Sequence, residues 1–426
     1  MGLSDPGIGS QVYGGITEFY ANGQRPGKGF ALTEFNFFAT PGLYFGAGKL
    51  ALLPSLIKHH GGKVLIITGA RSFLNSEHWP RLTRGLEKEG IGYIHGSVQG
   101  EPSPEDIDGI VRSCRGHDVG VVTAIGGGSV VDAGKAVSAM LTKNESVVHY
   151  LEGVGTRTHD GDKRPFIAVP TTAGTGSEAT KNAVISRAGK NGFKKSLRHD
   201  RFIPDIAVVD PVLTLDCPPH ITAACGMDAF TQILESYLSM NANPMTDSLA
   251  HGALAVLGDS LIKVVSGRAG DTREEIRLRT NIAYAATISG FTLANAGLGA
   301  VHGFASAIGG VADIPHGVVC ATLVGEVTKM NIETLIRTDP DGIALEKYKN
   351  AADLLDPSLP SVSVVEGARR LISLLEQWTD QMKIPVLSAY GVTDKEIGRI
   401  LKSTGQKNNP VTLTREQLSR VLRSRL

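Results

Sequence analysis

Short unbroken apolar runs alternate with amphipathic stretches through the first half of the chain. Val64-Leu65-Ile66-Ile67-Thr68, Val119 to Ile125, Phe166-Ile167-Ala168-Val169 and Ile206-Ala207-Val208-Val209 are rich in β-branched residues and close on glycine, proline or aspartate. Runs of this length and composition predict strands buried on both faces. Gly92-Tyr93-Ile94 reads as one more strand, and Phe35 to Phe45, with Pro41-Gly42 in its middle, reads as a hairpin. Between them, Lys49–Lys58, Pro80–Glu89 and Pro104–Cys114 carry helical spacing. Strands alternating with helices imply right-handed crossovers and a parallel sheet. Met1 to about Lys28 is glycine-rich and weakly patterned, an arm or a loose lead-in.

After about Pro219 the strand-like runs nearly vanish. Helical patterns take over from Asp228 onward, most clearly in Ala283–Ala296, Val364–Met382 and Arg415–Leu426. The expected architecture is an α/β domain with a parallel nucleotide-binding sheet over residues 1–217 and an all-α domain over 218–426. A cleft would separate them.

Composition narrows the function classes. The chain has 426 residues, 42% hydrophobic and 20% charged, so a packed core is expected throughout. A formal net charge of +1 with no long run of one sign argues against nucleic acid or an anionic membrane as partner. No apolar run looks long enough to span a bilayer. Cys114, Cys217, Cys225 and Cys320 form no C-x-x-C pair and no secretory signal stands out, which favours free thiols in a reducing cytoplasm. Met1-Gly2 does not begin a myristoylation signal, because Pro6 stands where Ser or Thr is needed.

Three stretches carry chemistry. The Val119–Ile125 strand breaks on Gly126-Gly127-Gly128-Ser129 and resumes as a helix through Asp132 and Lys135. Such a turn offers bare backbone N–H groups at the positive end of a helix, where phosphate binds. A Walker loop fails at Ser129 and Ala136, and the G-x-G-x-x-G fingerprint fails at Val131. The turn is equally readable as a tight connection. The loop Pro170-Thr171-Thr172-Ala173-Gly174-Thr175-Gly176-Ser177-Glu178 sets hydroxyls at a strand's carboxyl end, where open α/β sheets bind ligands; it is also readable as a turn satisfying its own backbone. In the second half, Asp228, Gln232, Glu235 and Ser239 share a helical face, with Asp228 also readable as a helix cap. His302 and His316 each stand beside glycine in apolar sequence. With the acidic face they suit a metal site with open coordination, and singly they suit a hydrogen-bonded core.

The ordered series GGGSVVDAGK, PTTAGTGSE, Lys194 ten residues before Pro204, Asp210-Pro211, GMDAFTQILE, AVHGFA and IPHG resembles the iron-containing alcohol dehydrogenase family over roughly residues 35 to 330. The resemblance implies reversible hydride transfer between a nicotinamide cofactor and a small alcohol or aldehyde, assisted by a divalent metal, Fe2+ or Zn2+. It assigns Gly126, Gly127, Gly128 and Ser129 to the cofactor pyrophosphate and Asp132 to the nicotinamide end. Thr171, Thr172, Thr175, Ser177 and Lys194 become cofactor contacts, while Asp228, His302 and His316 become metal ligands and catalytic residues. A homodimer, formed through the Phe35–Phe45 hairpin, is also implied.

Three departures from the family pattern stand out. The fourth metal-ligand position, usually histidine, is Gln232, a neutral and weaker donor. Ser306 replaces a histidine that many members carry near the substrate. Gly69 replaces the aspartate that closes the first strand in many members; Arg71 and Ser72 follow it and suit a 2′-phosphate, which leans the expectation from NAD(H) to NADP(H). The rival readings are a metal-independent reductase of the same family, a dehydroquinate-synthase-like lyase and a nucleotide-binding protein without catalysis.

Overall fold

The computed structural model describes residues 34–38, 40–187, 192–358 and 360–426, so the glycine-rich lead-in lies outside the described residues. In chain order the strands are β1 (Gly42–Phe45), β2 (Lys63–Gly69), β3 (Gly92–Val98), β4 (Val121–Gly126), β5 (Phe166–Pro170), β6 (Asn182–Arg187), β7 (Phe193–Arg198) and β8 (Ile206–Val209). Six of them form an all-parallel sheet in the order β1-β8-β5-β4-β2-β3, and β6 and β7 pair antiparallel by themselves. The N-terminal part is therefore an α/β unit and the rest is largely helical, as the hydropathy pattern predicts.

The apolar runs owe their continuity to burial on both faces. In β2 and β4, Leu65, Ile67, Val122 and Ala124 feed one core cluster, while Val64, Ile66, Val121 and Ile125 feed another on the opposite face. Each residue of such a strand meets helices rather than water, so no polar alternation survives.

Two local expectations need correction. Phe35–Phe45 is not a hairpin among the described residues: Gly42–Phe45 is a single strand whose partner is β8, in register from Gly42↔Ile206 to Phe45↔Val209. The turn signal at Pro41-Gly42 could not reveal a partner so distant in sequence. Conversely, the β6–β7 pair left little trace, because Phe-Lys-Lys-Ser-Leu-Arg buries only Leu197 completely.

The helical part begins at Pro219. Pro219–Leu238, Pro244–Val265, Thr272–Ala296, Ala300–Gly309 and His316–Thr338 pack around a core containing Phe230, Leu254, Leu257, Leu261, Phe304 and Leu323. Pro244–Val265 is, against expectation, long and apolar enough to cross a membrane by length and composition. Its apolar face is accounted for by helix packing, with Ala250, Ala253, Leu254, Leu257 and Leu261 fully buried. Asp228 lies in the third turn of Pro219–Leu238, which disposes of its reading as a cap.

Candidate metal and cofactor site

Strand register builds the cofactor side. Gly126 of β4 stands opposite Pro170 of β5, so the glycine turn and the threonine loop leave neighbouring strand ends together. The Thr171 N–H donates to the Gly126 carbonyl at 2.9 Å and joins them. The Gly128–Met140 helix then starts on Gly127 with no side-chain cap, leaving its N-terminal N–H groups open to a ligand. Glycine is required by proximity at Gly128, where a Cβ would lie 2.6 Å from Thr175 Oγ1. At Gly126 a Cβ would lie 2.6 Å from Val130. Thr171 and Thr172 are half-buried and Thr175 is exposed beside this turn. Gly69 ends the neighbouring strand β2, and Arg71 and Ser72 after it are exposed.

Asp132 and Ser177, two of the positions assigned to the cofactor, bond to the protein itself, and buried Lys135 joins them. Ser177 is buried and donates through Oγ to Asp132, whose other oxygen accepts from the Val184 N–H at 2.9 Å. Lys135, with no exposed surface, donates to the Ser177 and Asn182 carbonyls at 2.9 and 2.7 Å and to Thr180 Oγ1 at 3.1 Å. Burial pushes its ammonium down to about 8, against the pull of Asp132 and Glu178. Lys194 pairs with Glu101. Asp132 and Ser177 thus brace the loop on which Thr172 and Thr175 sit.

That loop is also pinned to the helical part. Buried Glu178 accepts from Thr287 Oγ1 at 3.0 Å, and Gly176 meets Gly290 backbone to backbone. A Cβ at Gly290 would lie 2.4 Å from the Gly176 carbonyl oxygen. Both Thr287 and Gly290 belong to Thr272–Ala296.

Three helices bring together the candidate metal ligands. Asp228 comes from Pro219–Leu238, His302 from the first turn of Ala300–Gly309, and His316 opens His316–Thr338. Asp228 Oδ1 lies 3.4 Å from His302 Nε2 and 3.7 Å from His316 Nε2. It is buried and has no hydrogen-bond partner among the described residues, an expensive condition that a cation would relieve. Burial disfavours its ionised form, yet His316 and His302 outweigh that and hold the carboxyl below its ordinary range. The side chains grade from 2% exposed at Asp228 through 11% at His302 to 34% at His316, so the cluster is open only on the His316 side.

Sequence reasoning placed Glu235 on the right face without giving it a task. Its Oε2 accepts from His302 Nδ1 at 2.7 Å and its Oε1 from the Val301 N–H at 2.6 Å. A carboxylate only accepts, so Nδ1 carries a proton and Nε2 is the nitrogen turned toward Asp228, the usual support of a ligating histidine. Cys320, read only as a free thiol, lies with Sγ 3.7 Å from both His302 Nε2 and His316 Nε2. The missed signal was its place four residues after His316 on one helix, which sets both side chains on one face. Gln232 Oε1 meets Ser289 Oγ at 2.6 Å, and Ser306 is exposed one turn after His302.

Family models meet this geometry from both sides. Residues 40–211 match the model "Iron-containing alcohol dehydrogenase", and residues 222–426 match "Fe-containing alcohol dehydrogenase family, C-terminal". The chain belongs to the iron-containing alcohol dehydrogenase family. Among relatives of this family, it is 36% identical to the probable alcohol dehydrogenase EutG of Escherichia coli over 69% of this chain and 73% of that one. It is 31% identical to long-chain-alcohol dehydrogenase 1 of Geobacillus thermodenitrificans, over 85% and 88%. A crystal structure of 1,3-propanediol oxidoreductase superimposes with a TM-score of 0.82 at 25% identity, over 92% of this chain and all of that one. An alcohol dehydrogenase from Oenococcus oeni does so with 0.80 at 28% identity, over the same shares. The chain is thus an alcohol dehydrogenase of the iron-containing family, an oxidoreductase acting on CH–OH groups. Neither the lyase nor the non-catalytic reading is favoured.

Proposed function

We propose that residues 1–217 hold the dinucleotide and 218–426 a divalent metal and the substrate, and that hydride passes between them across the cleft. The observation that carries the metal half is the orphaned, buried Asp228 Oδ1 facing two imidazole nitrogens. Carboxylate and imidazole suit Fe2+ and Zn2+ alike. A bound divalent cation supplies a Lewis acid for the substrate oxygen, and the nicotinamide carries the hydride. The protein's own contributions are the following. Gly126, Gly127, Gly128 and Ser129 present backbone N–H groups to the pyrophosphate, with Thr171, Thr172 and Thr175 closing over it. Asp132, Ser177 and Lys135 keep that loop in place. Asp228, His302 and His316 hold the cation, and Glu235 orients His302. Lys194, paired with Glu101, belongs to the wall of the cofactor cleft.

Arg71 and Ser72 at the end of β2 support NADP(H) over NAD(H). Named relatives include both an NAD-dependent methanol dehydrogenase of Bacillus methanolicus and an NADPH-dependent butanol dehydrogenase of Clostridium saccharobutylicum. A small alcohol or aldehyde is the proposed substrate class. The exposed Leu43 and Tyr44 on β1, an edge strand among the described residues, support a homodimer joined along that edge. Four free cysteines support a reducing, cytoplasmic setting.

The test is His316→Ala assayed with an alcohol and aldehyde panel and both cofactors. Alcohol oxidation should vanish while NAD(P)H binding persists. Unchanged turnover in this variant would remove His316 from the chemistry.

A further inference from the structure

The family pattern leaves this chain one metal ligand short, because Gln232 stands where histidine is usual, and Gln232 is already engaged with Ser289. We propose that Cys320 completes the set, so that the cation is held by Asp228, His302, His316 and a Cys320 thiolate, and that the thiolate biases the site toward zinc. This rests on the metal reading above and concerns only which atoms of this chain serve it.

Distances carry the argument. Tetrahedral zinc has bonds of about 2.0–2.2 Å to nitrogen and oxygen and about 2.3 Å to sulfur, so neighbouring ligands lie about 3.4 Å apart for N···O and about 3.6 Å for N···S. Here the two N···O separations are 3.4 and 3.7 Å and both N···S separations are 3.7 Å. All four donor atoms lie within 4.8 Å of one another. A single thiol hydrogen bond would explain one of these distances, but Sγ stands equidistant from two imidazole nitrogens beside a carboxylate oxygen with no partner among the described residues. Cys320 is also fully buried, out of reach of solvent reagents, and anchored on the helix that supplies His316. A nearby cation deprotonates a coordinating thiol outright. The thiol proton leaves to solvent as the sulfur–metal bond forms. Soft sulfur prefers zinc or cobalt to iron, and the general order of divalent affinities runs the same way.

Cobalt(II) reports sulfur ligation directly, through a thiolate-to-metal charge-transfer band in the near ultraviolet. The full-length protein is stripped with chelator and loaded with one equivalent of Co2+. Three proteins are compared: wild type, Cys320→Ser, and a Cys114→Ser/Cys217→Ser/Cys225→Ser triple variant in which Cys320 is the only thiol. The band should appear in wild type and the triple variant and be lost in Cys320→Ser, which should also hold Zn2+ at least tenfold more weakly in chelator competition. One bound Co2+ without the band in wild type overturns the thiolate assignment and leaves the metal reading intact. Failure of wild type to take up any Co2+ or Zn2+ overturns both. Wild type alone decides the matter if Cys320→Ser does not fold.

Discussion

Glu235→Gln separates the role of a supporting residue from that of a ligand. The side chain is 8% exposed and keeps its volume in the exchange. The carboxylate now accepts from the Val301 N–H at 2.6 Å through one oxygen, and from His302 Nδ1 at 2.7 Å and the His302 N–H at 3.4 Å through the other. It also faces the N-terminus of Ala300–Gly309, where negative charge is favoured. An amide has one accepting oxygen, so either His302 or Val301 must face an NH2 group. One charge-assisted hydrogen bond is lost, worth about 1.5–3 kcal/mol. If the oxygen stays with Val301, His302 loses its fixed tautomer, and metal affinity falls by about 10- to 100-fold, the usual cost of removing such a partner. The assay is Zn2+ competition against a chromophoric chelator, with circular dichroism to confirm folding and NAD(P)H binding as the internal control. Zinc should weaken and the cofactor should not. A folded variant with wild-type zinc affinity would refute the idea that Glu235 holds His302 for a cation.

Two other outcomes follow from the cofactor side. Gly128→Ala places a methyl 2.6 Å from Thr175 Oγ1 at the helix N-terminus, so NAD(P)H should bind about 10- to 100-fold more weakly, on an overpacking cost of about 1–3 kcal/mol, while Zn2+ affinity is kept. Equal NAD(P)H affinity in fluorescence titration would show that the turn does not seat the dinucleotide. Lys135 has a folded pKa of about 8 against an ordinary 10.5, so the unfolded chain holds more protons between those values and stability rises with pH across that window. Below pH 8 the burial cost, about 3 kcal/mol, is fully present. Urea titrations of wild type and Lys135→Met from pH 7.5 to 10.5 should diverge in slope, and parallel profiles would contradict the shift.

Most of the sheet was readable because β2, β4, β5 and β8 are buried on both faces and write themselves as apolar runs. Pairing was not readable: β1 joins β8 across some 160 residues, and a proline-glycine turn beside it suggested a local partner instead. The same division runs through the site. Asp228, His302 and His316 were readable as residue types in glycine-flanked apolar settings. The tasks of Glu235 and Cys320 were not, since they exist only where three helices converge. Helical spacing becomes clear only at Asp228, nine residues after the helix begins at Pro219, which makes a core aspartate resemble a cap. Asp132 and Ser177 show the opposite case, sequence positions of the cofactor motif whose side chains turn inward to brace it.

The close approach of Gly176 to Gly290, reinforced by Glu178 and Thr287, limits how this enzyme can breathe. Parting the threonine loop from Thr272–Ala296 would bare a buried carboxylate and break a backbone-to-backbone contact, so that helix travels with the sheet. Ser289 on the same helix grips Gln232, and the segment bearing Asp228 travels with it. At the proposed metal site the flank left uncovered by these contacts is that of His316, which keeps a third of its side chain exposed.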